Sequence, residues 1–246
     1  MRIAILADIH ANREAFESVL SDLQDRNVDR IILLGDIVGY GPDPEWCTDR
    51  ARSLVAEGAI AVRGNHDHAM RHGDADFNIT ARRVIQWTRG RLNAMQADFL
   101  AGLPMTHREG SVLFVHASAN SPEDWNYVTG PDRARASFAT TDARCIFVGH
   151  RHIPDLISCD ITGRTARHRP DPGRALPLIA SRRWLSVIGS VGQPRDGIAK
   201  AAYAIFDVER QDLTFLRVPY NTIRTVEKLR QHGLPESLAT RLTWGG

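Results

Sequence analysis

Short apolar runs recur along the chain, each stopped by a glycine, a histidine or a charged residue: Ile3–Ala7, Arg30–Leu34, Ala59–Val62, Val112–Val115 and Cys145–Val148. Runs of this length suit buried strands. Between them the apolar positions switch to helical spacing. Phe16, Val19, Leu20 and Leu23 follow Asn12, a side chain suited to capping a helix start, and predict a helix over 13–25. Similar patterns predict helices over 44–56, 77–92 and 131–139. Strand and helix alternating through the first 150 residues point to an α/β core that receives its ligand outside the carboxyl ends of its strands. The last hundred residues read differently. Pro154–Ile157, Trp184–Ile188, Ala201–Val208 and Leu213–Pro219 are separated by turns, which predicts mostly antiparallel strands before closing helices over 221–232 and 235–242. Both halves fit an α-β-β-α sandwich, two mixed sheets face to face with helices outside, as one domain over 1–246. Thr162–Arg174 stands out as a turn-rich excursion.

Composition narrows the classes. A chain of 246 residues, 43% hydrophobic, can bury a substantial core. A net charge of +2 gives no global basic track for nucleic acid or a membrane surface. Cys47, Cys145 and Cys159 are odd in number and form no CxxC, which argues against a disulfide framework or a zinc knuckle and fits a reducing cytoplasm. The opening run ends at Asp8, and no later stretch approaches the roughly 18 apolar residues of a membrane span.

The chemistry gathers where strands are predicted to end. Asp8-Ile9-His10, Gly35-Asp36, Gly64-Asn65-His66-Asp67, His116 and Gly149-His150-Arg151-His152 each follow an apolar run. A strand end is a rigid mount from which a loop can aim Asp and His at one point. Carboxylate and neutral imidazole are ligands for first-row divalent ions, and no thiolate occurs in these clusters, so a catalytic centre is expected rather than a structural zinc.

In this order the five clusters resemble the signature of the calcineurin-like metallophosphoesterases, D-x-H, G-D, G-N-H-[DE], H and G-H-x-H. The later Gly189-Ser190-Val191-Gly192-Gln193-Pro194-Arg195-Asp196-Gly197 resembles a loop of the small bacterial branch. The resemblance implies hydrolysis of a small-molecule phosphate ester, monoester or diester, by attack of a metal-bridging hydroxide. It implies two divalent ions, manganese foremost among Mn, Fe, Co, Ni and Zn. Asp8, His10 and His152 would hold one ion, Asn65, His116 and His150 the other, and Asp36 both. His66 would face the substrate as general acid or charge-stabilising donor, with Asp67 orienting it. Arg13 and Arg195 are candidates for meeting the substrate phosphate. The chain departs from the pattern at Arg151 and at Val187-Ile188, neither of them an implied ligand. It also lacks the arginine that protein Ser/Thr phosphatases of the superfamily place just after the bridging Asp.

Two other readings compete with the enzyme. A catalytically inactive scaffold is expected to have lost ligands or His66, and here every motif position is filled. A nuclease needs a positive groove that the overall charge does not supply. The histidines outside the motifs, among them His68 and His72, read as ordinary surface or capping residues. The arginines of the excursion at 162–174 read as solvated, with a phosphate-facing flap as the alternative. Trp125 and the other tryptophans read as core or rim.

Overall fold

Alternation along the first strand decides the architecture. In a computed structural model, which describes residues 1–73, 75 and 77–246, β1 (Arg2–Leu6) turns Ile3 and Ile5 to one side and Ala4 and Leu6 to the other. All four are buried, so β1 lies between two apolar layers.

The first sheet runs β3-β2-β1-β11-β12-β9. Its strands are β2 (Arg30–Leu33), β3 (Ile60–Ala61), β9 (Ala175–Pro177), β11 (Ala201–Asp207) and β12 (Asp212–Val218) around β1. The second runs β4-β5-β6-β10-β7-β8, built from β4 (Thr106–Glu109), β5 (Val112–Val115), β6 (Cys145–Val148), β7 (Asp155–Cys159), β8 (Thr165–His168) and β10 (Arg183–Val187). Both sheets are mixed. β1, β2 and β3 are mutually parallel, as are β5, β6 and β10, whereas β11 and β7 pair antiparallel with β1 and β10.

Between the sheets Ile3, Ile5 and Phe206 pack with Phe114, Phe147 and Trp184. Outside the first sheet lie α1 (Arg13–Gln24), α2 (Pro44–Ala56) and α5 (Ala94–Gly102), through Phe16, Ala51 and Leu100. Outside the second lies α6 (Pro131–Thr140), through Ala134 and Phe138. The result is the expected four-layer α-β-β-α sandwich. A satellite cluster joins α4 (Ile79–Arg91), α7 (Thr222–Gln231) and α8 (Glu236–Trp244) through Val84, Leu229 and Leu242. The one-turn helix α3 (Asn65–His68) follows β3. No helix among the described residues is long and apolar enough to cross a membrane.

The segment after β10 bonds the two sheets at one edge. Val191 N–H donates to the Ala7 carbonyl and Gly192 N–H to that of Asp8, both at 2.9 Å, while Asn12 Nδ2 donates to the Gly192 carbonyl at 2.8 Å. The approach is so close that a Cβ on Gly192 would fall 1.8 Å from the Ile9 carbonyl oxygen. The excursion at 162–174 is not wholly irregular. Its Thr165–His168 is the edge strand β8 against β7, and Arg167 pairs with the buried Asp155 at 2.9 Å, so this arginine is tied to its own sheet edge.

Two glycines test this packing from opposite directions. Gly192→Ala must force backbone apart and should lower stability by about 1–3 kcal/mol or more. Gly90→Ala, in the exposed last turn of α4 where an added Cβ meets nothing within 4 Å, should raise it by about 0.5–1 kcal/mol. Denaturant melts of the two variants check both signs, and an unperturbed Gly192→Ala would contradict the contact.

Candidate metal centre

Asp8 follows β1, Asp36 follows β2, Asn65 opens α3 after β3, His116 follows β5, and His150 and His152 follow β6. Five strand ends from two sheets thus deliver the predicted residues to one point, and all but Asn65 are buried. Asp8, His10, Asp36, His150 and His152 have left-handed backbones, φ between 49° and 64°. Side chains reach this conformation at a cost of order 1–2 kcal/mol each. The strain bends each loop sharply enough that the chain doubles back over the sheet edge. At Gly64 the constraint is space, since a Cβ there would lie 2.2 Å from Asp36 Oδ1.

Backbone amides fix the carboxylates. His66 N–H donates to Asp36 Oδ1 at 2.8 Å, and His150 N–H to Asp8 Oδ2 at 2.9 Å. Backbone carbonyls fix the imidazoles. His10, His116 and His152 each turn Nδ1 to a carbonyl, those of Val38 at 3.1 Å, Leu34 at 2.7 Å and Gln193 at 2.6 Å. A carbonyl only accepts, so Nδ1 carries the proton, and in a neutral ring Nε2 is left with a lone pair aimed inward. Nε2 of His10 and of His152 lie 3.0 Å apart. His116 Nε2 meets Asn65 Oδ1 at 3.2 Å, His150 Nδ1 at 3.1 Å and Asp36 Oδ2 at 3.4 Å.

Three overlapping sets have mutually close ligand atoms, all within 4.8 Å of one another: Asp8, His10 and His152; His10, Asp36 and His66; and Asp36, His116 and His150. Asp36 and His10 link the outer two sets. Burial drives the pKa of His10 and His152 well below the ordinary histidine value and that of His150 down to about 3, so these rings are neutral acceptors. Burial alone would also lower His116, but the adjacent Asp36 carboxylate outweighs it and raises the ring to about 9. Burial likewise pushes Asp8 upward. The site therefore collects protons at Asp8 and His116 where lone pairs and carboxylates converge with too few hydrogens between them. That donor set, imidazole nitrogen and carboxylate oxygen around a charge deficit, fits divalent cations.

Two expectations need correction. Asp67 does not reach the His66 ring: its Oδ1 accepts from Ile37 N–H at 2.9 Å and its Oδ2 from Gly64 N–H at 3.1 Å, and it thereby ties α3 to the loop after β2. His66 Nδ1 has no hydrogen-bond partner among the described residues, and burial lowers its pKa to about 4. Arg13 is drawn away, paired with Glu17 at 3.0 Å and lying over the Trp46 ring at 4.8 Å, and it does not line the cavity at the centre. Arg195 does, held by Gln193 Oε1 at 2.8 Å and facing the Tyr40 ring at 5.5 Å. His66 lines the same cavity.

That cavity, of about 770 Å³, also shows what sequence reasoning missed. Tyr40, Phe77, Trp125, Tyr127 and His68 line it, so Trp125 belongs to the site and not to the core, and His68 is not an ordinary surface histidine. Only Tyr40 carried a local signal, its position between Gly39 and Gly41 four residues after Asp36.

A family model described as the calcineurin-like phosphoesterase superfamily domain matches residues 1–211. An uncharacterized protein of Methanocaldococcus jannaschii is 38% identical over 249 residues, covering 99% of this chain and 98% of that protein. The crystal structure of a metallophosphoesterase from Sphaerobacter thermophilus is 40% identical with a TM-score of 0.87, covering 100% of this chain and 99% of that one. A hypothetical protein from Pyrococcus horikoshii shares the fold, with a TM-score of 0.81 at 19% identity over 100% of this chain and 98% of its own. The strand-end clusters and the family match over residues 1–211 agree: the chain belongs to the calcineurin-like phosphoesterase superfamily.

Proposed function

We propose that this chain is a metal-dependent hydrolase of small-molecule phosphate esters, monoester or diester, acting as one domain over 1–246. The observation that carries the reading is the facing pair of Nε2 lone pairs on His10 and His152, 3.0 Å apart beside the buried Asp8, with Asp36 leading from them to His116 and His150. Asp8, His10 and His152 would hold one divalent ion and Asn65, His116 and His150 a second, with Asp36 available to both, manganese being the first candidate. Such a pair of ions, when bound, supplies an acidified water and positive charge for the phosphate oxygens.

The remaining work falls to the chain itself. Arg195 offers the cavity a guanidinium already oriented by Gln193, suited to a non-bridging phosphate oxygen. His66 stands at the cavity with Nδ1 unspent. With its pKa near 4 the free ring is neutral at pH 7 and offers one N–H, a hydrogen bond for the leaving oxygen. Transfer of the proton in full requires the ring to gain positive charge as the anionic ester enters. The three buried free thiols fit a reducing compartment such as the cytoplasm.

Chelation with EDTA should abolish ester hydrolysis and Mn²⁺ restore it; full activity of metal-free protein would overturn the reading. Metal analysis separates the ligands. Asp36→Asn should reduce the bound metal at both positions, whereas His10→Ala should cost about one ion and leave the other. Equal loss of one ion in each variant would remove Asp36 from its shared role. His66→Ala should keep its metal and lose about 10²–10⁴-fold in turnover of alkyl esters, with a smaller loss for p-nitrophenyl esters, whose leaving group needs little protonation. The same loss across both ester types would assign His66 to positioning instead.

A further inference from the structure

The cavity beside the centre has one aromatic side. The Tyr127 ring lies flat against the His150 imidazole, centroids 4.0 Å apart and planes 16° apart, and the residue remains 48% exposed beside the cavity. Trp125 stands 6.0 Å from the His116 ring and 5.8 Å from that of His68, which is itself stacked on His72 at 3.9 Å. Both aromatic residues belong to the segment between β5 and α6. Buried Val128 and the Ser118–Ser137 hydroxyl pair, 2.9 Å apart, pin that segment to the second sheet and α6. Ser121 and Trp125 have left-handed backbones, φ 48° and 53°, which the fold sustains only where surrounding contacts impose them. The consequence of that imposed turn is an indole on the cavity wall.

Charge is distributed unevenly around the same space. Arg195 is the one arginine among the described lining residues, no lysine joins it, and the exposed Glu123 and Asp124 stand at the aromatic side. One cation beside the metal ligands suffices for one phosphate group, and the described lining offers no second arginine or lysine for another. The volume, about 770 Å³, is that of a pocket for a whole organic ligand and far exceeds a phosphate group.

Resting on the phosphoesterase reading above, we propose that the substrate carries a single phosphorus and an amino-bearing nucleobase, a nucleoside monophosphate or its simple diester. The phosphate meets Arg195, the base stacks on Trp125 and Tyr127, and its N–H donors face Glu123 and Asp124. A flat ring gains from stacking on an aromatic side chain, and carboxylates at its edge select bases that donate.

Adenosine 5′-monophosphate and ribose 5-phosphate present the same primary phosphate ester with and without the base. Manganese-loaded protein should favour the first in kcat/KM by roughly 5- to 150-fold, the range for stacking one base on an aromatic side chain. Trp125→Ala and Tyr127→Ala should each lower that ratio, mainly through KM, and Trp125→Phe and Tyr127→Phe should restore most of it. Adenosine 5′-triphosphate should be the poorer substrate. A ratio near one in the wild-type protein, a ratio unmoved by either alanine variant, or triphosphate turned over as fast as monophosphate would each overturn the inference. Calorimetric binding of adenosine 5′-monophosphate keeps the two readings apart. Binding that weakens in Trp125→Ala while no ester is hydrolysed sustains the base site and sinks the phosphoesterase, whereas hydrolysis indifferent to the base does the reverse.

Discussion

Backbone carbonyls holding the Nδ1–H of three buried histidines are the constraint on which the site depends. Each imidazole has two nitrogens, and spending one on Val38, Leu34 or Gln193 leaves the other pointing inward with no choice of partner. Two of the carbonyls, those of Leu34 and Val38, flank Asp36 just beyond β2, and the third belongs to the segment after β10. Correct assembly of both sheets is therefore what brings the lone pairs together. The convergence has a price, since buried carboxylates and lone pairs without hydrogens between them repel. Burial raises the Asp8 carboxyl, and the adjacent Asp36 carboxylate raises His116 against the effect of its own burial. A divalent cation held there would stabilise the folded chain, because only folding assembles its ligands, and the protons it displaces would subtract from that gain.

The left-handed backbones follow from the same demand. A carboxylate and an imidazole leaving adjacent strands would ordinarily continue outward along the strand direction. Asp8, His10, Asp36, His150 and His152 instead turn back at φ values that L residues seldom adopt, and five such turns together cost several kcal/mol. What offsets the cost is the hydrogen bonding around them: Asp8 N–H to the Gly35 carbonyl, His10 N–H to that of Asp36, and the segment after β10 donating to Ala7 and Asp8. Glycine at 64 and 192 is required because these backbones pass within contact distance of one another. Rigidity of the site and strain of the backbone are one feature, and alanine at Gly192 attacks both.

Much of this was legible in the sequence, for physical reasons. Strands buried on both faces read as continuous apolar runs, and β1, β2, β5 and β6 were visible on that account. The candidate ligand set was visible because its members cluster within a few residues after such runs. The elements that escaped notice carry little pattern: β4, β8 and β9 are short edge strands with exposed positions, and α3 is one turn long. The helix α5, Ala94–Gly102, is apolar without a marked face. Side-chain destinations were the least legible. Asp67 follows His66 in the chain, yet its carboxylate turns to amides of Ile37 and Val38 in the loop after β2 and of Gly64 at the start of α3, so it joins the two segments instead of meeting the imidazole. Arg13 stands at a helix start beside the metal motif, yet it pairs with Glu17 one turn on, as i,i+4 spacing invites. Trp125 lies in no periodic element, so nothing local could place it on a cavity wall.

The distribution of these failures separates chemistry from selectivity. Residues that hold ions must sit at rigid strand ends, where position follows from the sheet and hence from the sequence pattern. The cavity wall beyond them is built from the loops between, by Tyr40, by Phe77 before α4, and by Trp125 and Tyr127 between β5 and α6. These loops are anchored at particular points, Val128 and the Ser118–Ser137 pair beneath one of them and the closely packed Gly39 and Gly41 on either side of Tyr40. A fold built this way can keep its cluster of strand-end ligands while exchanging the wall beside it, and under the proposed function the aromatic, acid-edged side of this cavity is where specificity would reside.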